Sequence, residues 1–79
     1  MDHLEGMQIM CRRTKDDFEA LTLANIITSH GGDVFSITNT KDSDYYPWSV
    51  WARIHADTID QVDRAYGKWI NTLYSGSAD

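Results

Sequence analysis

Cys11, His3, His30 and His55 are the side chains of this sequence able to act as soft metal ligands or as nucleophile and base. Their spacing matches none of the compact Cys/His ligand sets, so no metal site is expected. A Cys11–His55 couple would need both groups within hydrogen-bond reach of one another. Strand alternation turns Cys11 inward with Met7 and Ile9, as a small core residue, and leaves His55 outside. Asp42-Ser43-Asp44 has the opening spacing of a calcium loop but lacks its glycine and closing glutamate, and reads as a solvated turn. Gly31-Gly32 follows a helix pattern and closes it, rather than opening a helix to cradle phosphate. These residues predict no catalytic group, no metal and no cofactor, and so not an enzyme.

Binding chemistry is better represented. Tyr45 to Asp57 reads as one strand, with Trp48, Val50, Ala52, Ile54 and Ala56 on one face and Ser49, Trp51, Arg53, His55 and Asp57 on the other. The first face is apolar and belongs in the core. On the second, Trp51 stands beside Arg53, the composition of an interaction hot spot. Gln8, Met10 and Arg12 of a first strand and Ser36, Thr38 and Thr40 of a second join that face. The candidate contacts there are Trp51, Arg53, Arg12, Met10 and His55. A competing surface is acidic: Asp16, Asp17 and Glu19 at a helix start, and Asp42 and Asp44 in a loop, with Tyr45 and Tyr46 beside them.

The elements that must position these groups follow from pattern. Residues 1–6 have no period and read as a disordered end. Met7 to Arg13 is a weakly alternating strand, with Met7, Ile9 and Cys11 inward. Thr14 and Asp17 have near-capping-box spacing and open a helix, whose inward stripe is Ala20, Leu23, Ala24 and Ile27, flanked by Leu21 and Ile26. Phe18 lies away from that stripe, either folded over the helix end or exposed. Val34 to Thr40 is a second strand, with Phe35 and Ile37 inward. Pro47 holds Tyr46 extended ahead of the third strand. Thr58 and Gln61 cap a second helix, with Ile59, Val62, Tyr66, Trp69, Ile70 and Leu73 as its apolar stripe, Gly76 as its stop and 77–79 as a tail.

The order strand, helix, strand, strand, helix predicts an α+β fold. A right-handed crossover makes the first two strands parallel with a gap between them, and the third fits that gap antiparallel to both. The result is a three-stranded sheet of order 1-3-2 with both helices on one face, most of a ferredoxin-like βαββα two-layer sandwich. The first strand is left as an edge that can recruit another chain, and a homodimer through it is one expectation.

Seventy-nine residues make one domain, placed at 7–76. With 7 Lys and Arg against 12 Asp and Glu, the net charge of −5 disfavours direct nucleic-acid binding and favours basic protein partners. No apolar run reaches the roughly 18 residues of a membrane span, and no secretory pattern is visible. A single cysteine excludes an internal disulfide and fits a reducing, cytoplasmic compartment.

Leu23 to Ile37, a helix ending in a glycine turn followed by a strand, resembles the first helix and second strand of ACT-type regulatory domains. That likeness implies a small-molecule-binding regulatory module, although the family's ligand-loop glycine does not appear at Arg13-Thr14-Lys15. In profile, being short, acidic, single-domain and centred on an aromatic face, the chain is similar to small phage-encoded inhibitors of the anti-CRISPR and anti-defence type. This similarity implies an inhibitor or adaptor that occupies the surface of a nucleic-acid-handling protein.

Overall fold

The structure, a computed structural model, describes residues 6–41 and 45–75. The expectations for His3, for the Asp42-Ser43-Asp44 turn with its two candidate carboxylates, for the Gly76 stop and for the tail lie outside the described residues. Five principal elements follow in order: β1 (Met7–Thr14), α1 (Asp17–Ser29), β2 (Asp33–Asn39), β3 (Trp48–His55) and α2 (Ile59–Ser75). One 3-10 turn, Ala56–Thr58, leads from β3 into α2. The sheet order is β1-β3-β2, and β3 is antiparallel to both neighbours. The predicted architecture is therefore the observed one.

β3 carries the core. Val50, Ala52 and Ile54 are fully buried beneath Ala20, Leu23 and Ile27 of α1 and Val62 of α2. Ile59 and Tyr66 pack against that cluster from the sides. The strand is shorter than its apolar alternation suggested, and Ala56 stands exposed in the 3-10 turn.

α1 starts two residues later than predicted, because Asp16 rather than Thr14 caps it. The Asp16 carboxylate accepts from the Glu19 amide at 2.9 Å, and Glu19 Oε1 accepts from the Lys15 amide at 3.0 Å. This is a capping box displaced by one residue at its return bond. Thr14 ends β1 fully buried, donating its hydroxyl to the Asp16 carbonyl at 3.1 Å. At its other end α1 closes as the Gly31-Gly32 pattern predicted. Gly31 takes the left-handed conformation at φ 87°. The Gly31 amide bonds the Thr28 carbonyl and the Gly32 amide bonds the Ile27 carbonyl, the paired bonds of a Schellman motif.

The predicted facing of β1 is inverted. Met10 pairs with Ala52 and Arg12 with Val50. Opposed residues in a ladder share a face, so Met10 and Arg12 lie on the helix side. Met10 is 4% exposed and belongs to the core, while Ile9 is 58% exposed on the far side. Cys11, expected inside, pairs with Trp51 on the same outer face and is half-buried. β2 departs as well. A bulge between Val34 and Ser36 leaves Phe35 as the extra residue. Val34 and Ile37 pack on the core, while Phe35, expected inside, is 48% exposed. In α1, the flanking Leu21 is also exposed.

Candidate functional site

The face of the sheet opposite the helices is open. The ladder sets two cross-strand rows on it: Cys11, Trp51 and Ser36, then Ile9, Arg53 and Asp33. Phe35 stands between the rows because a bulge places two residues of one strand against one of its partner. The Arg53 guanidinium lies over the Phe35 ring, 5.3 Å from its centroid, in cation–π range. Trp51, on the middle strand, is 39% exposed. His55, at the end of β3 opposite Met7, is exposed at the margin of the same face, and the buried Ser49 lies opposite Arg13 and Thr38. Ile9, Phe35 and Trp51 thus make an apolar centre, with Arg53 across it and Arg13 at its end.

Of the residues predicted for this face, Trp51, Arg53 and His55 are on it. Met10 and Arg12 are not. Arg12 reaches the helix layer, where Nε and Nη2 bond the two Asp63 carboxylate oxygens at 2.9 and 2.8 Å. That bidentate bond holds its guanidinium pKa above the ordinary value. Ile9 and Phe35 are the residues that sequence reasoning missed. The register fixed by β3 and the bulge turn them outward, and neither is visible in the alternation of their own strands.

The acidic surface is less coherent than its composition suggested. Glu19 is 4% exposed, and its second carboxylate oxygen accepts a hydrogen bond from the Tyr74 hydroxyl. Asp16 is engaged as the helix cap. Asp17 remains exposed, as do Asp57 and Asp60 beside the start of α2. Tyr45 and Tyr46 are both exposed, and the Tyr46 carbonyl accepts from Arg13 Nε at 2.9 Å. Asp42 and Asp44 lie outside the described residues.

On the helix side, Phe18 is the exposed one of its two expected alternatives, and its ring meets Trp69 of α2 with centroids 5.7 Å apart. A cleft of about 240 Å³ opens where the β1–α1 turn meets α2. Arg13, Lys15, Glu19, Tyr46, Tyr66, Ile70 and Tyr74 line it. Burial first, and the nearby Glu19 carboxylate second, push the Tyr66 phenol up to about 12.

Cys11 and His55 are not brought together. Their ladder positions lie four residues apart along β1, roughly 13 Å at the rise of a strand. Among the described residues no three His, Cys, Asp or Glu side chains gather into a metal-holding group, and no helix is long and apolar enough to cross a membrane. No protein-family model, curated protein or solved structure matches the chain.

Proposed function

We propose that this chain is a protein-binding module, an inhibitor or adaptor, that docks a partner on the open face of its sheet. One observation carries the reading: Ile9, Phe35 and Trp51 come from three different strands to one solvent-exposed patch, crossed by Arg53. A sheet that needed only solubility would present polar residues there, and an aromatic-centred patch with arginine is the composition of contact hot spots. The patch fits a partner surface that is apolar at its centre and carries carboxylates toward Arg53 and Arg13. The chain acts by covering that surface.

A second reading uses the exposed Asp17, Asp57 and Asp60 and the net charge of −5. In it the chain covers the basic surface of a nucleic-acid-handling protein. Ionic strength separates the two, because exposed charge pairs are screened and an aromatic anchor is not.

The test is capture of a partner by the immobilised chain and by its Trp51→Ala variant, followed by titration of the purified pair at low and high salt. Sheet-face docking predicts about a hundredfold weaker binding by the variant, the ~3 kcal/mol of a central aromatic anchor, with little salt dependence. Unchanged affinity in Trp51→Ala with steep weakening by salt would replace it with the acidic reading.

A further inference from the structure

We propose that the cleft between the β1–α1 turn and α2 binds a small aromatic anion: one flat ring bearing a carboxylate or phosphate group. The proposal does not rest on the apolar sheet-face patch; the two sites share only Arg13, which stands at the end of β1.

Size sets the first limit. A cavity of roughly 150 Å³ accepts benzene. About 240 Å³ therefore takes one ring and one substituent, and is too small for a dinucleotide. The walls set the second. Ile70 and the rings of Tyr66 and Tyr74 supply apolar and π surface for a flat body.

Charge decides the sign. Three tyrosines and a carboxylate would by themselves suit a cation, but the cation is already present: Lys15 Nζ sits 4.5 Å from the centroid of the Tyr74 ring. The Glu19 carboxylate has both oxygens already bonded, by the Lys15 amide and the Tyr74 hydroxyl. An entering molecule therefore meets two cations, Lys15 and Arg13, against one carboxylate. Arg13 is held by two of its nitrogens, Nε on the Tyr46 carbonyl at 2.9 Å and Nη2 on Thr40 Oγ1 at 3.1 Å. A cation fixed before binding loses little freedom when an anion arrives. Tyr66, protonated throughout the neutral range, adds a neutral phenol to the wall.

Amide-resolved NMR titration with benzoate, phenyl phosphate and benzylammonium tests this. Benzoate or phenyl phosphate should give saturable shifts at Lys15, Glu19, Ile70 and Tyr74, and which of the two binds tighter identifies the anionic group. Benzylammonium, with the same ring and the opposite charge, should bind at least tenfold more weakly. Lys15→Met should weaken anion binding about tenfold, the worth of one charge-assisted contact, while the remaining amide spectrum stays in place. The proposal is overturned by equal binding of benzylammonium, by an unchanged affinity in Lys15→Met, by shifts centred on Trp51 and Phe35, or by no saturable shift.

Discussion

Glu19 shows how far a residue's role can depart from its type. A carboxylate in the first turn of a helix is ordinarily a solvated partner of the helix dipole. Here it is buried, closes a capping box and receives the hydroxyl of a tyrosine 55 positions away. Its charge also reaches Tyr66, whose phenol is held up at about 12 by burial and then by Glu19. The neutral phenol is thus favoured in the folded state relative to its ordinary pKa of 10.0. The stability linked to this shift is fully present below pH 10 and is lost as pH rises through about 12. The difference between ultraviolet tyrosinate titrations of the wild type and Tyr66→Phe should isolate one phenol with a midpoint near 12, whereas a difference curve centred at 10 would remove the burial argument. A helix start was legible here, but not which residues cap it. Asp16-Asp17-Phe18-Glu19 does have acid-x-x-acid spacing at a helix start, but Thr14 with Asp17 offers the same spacing two residues earlier, and that pair was the one read as the cap. The tyrosine bond was not legible, since it depends on where α2 ends against α1.

Among the elements, all three strands could be read as strands, but only for β3 was the facing legible throughout; β1 came out inverted, and β2 departed from its predicted facing at Phe35. β3 is buried on its helix side along its central length, so its period of two is clean, and the α1 stripe Ala20, Leu23, Ala24 and Ile27 points where predicted. β1 is an edge strand with apolar residues on both faces, and its own pattern carries little information about which side is inside. Its register is imposed by β3, where Met10 opposite Ala52 reaches the core and Arg12 finds Asp63. In β2 the bulge shifts the alternation by one residue between Val34 and Ser36, a step that no residue type announces. The turn joining α1 to β2 gives an element-scale prediction. A Cβ on Gly32 would lie 2.5 Å from Ile27 Cγ2 and 3.1 Å from the Ile27 carbonyl oxygen, and Ile27 is fully buried with no room to yield. Gly32→Ala should cost about 1–3 kcal/mol in urea denaturation, as overpacking does. Gly31→Asn, at a left-handed position with open space around it, should cost less, because asparagine tolerates that conformation. Equal costs would mean that the close approach at Gly32 relaxes without penalty.

For the whole molecule, the core is one thin layer, and the largest fully buried apolar side chains in it are Leu23, Ile27, Ile54, Val50 and Val62. A domain of this size is stable by roughly 5 kcal/mol. Leu23→Ala, which removes the largest fully buried side chain, should cost about 3 kcal/mol and leave a molecule near its unfolding threshold at 37 °C. Circular dichroism melts read this directly, and a loss below 1 kcal/mol would show that α1 slides to refill the space. The two edges of the sheet differ in a way that bears on assembly. β2, on one outer edge, is bulged where it pairs with β3, and the bend and added twist of a bulged strand spoil the straight row of donors and acceptors that a further strand would need. β1, on the other edge, runs in unbroken register with β3 over its eight residues. A sheet with a single receptive edge has a valency of one. Were β1 to pair edge-to-edge with a second β1, the assembly would end at two chains with a bulged strand at each outer margin, and filament growth, which needs a receptive edge at both ends of every unit, would have nowhere to continue.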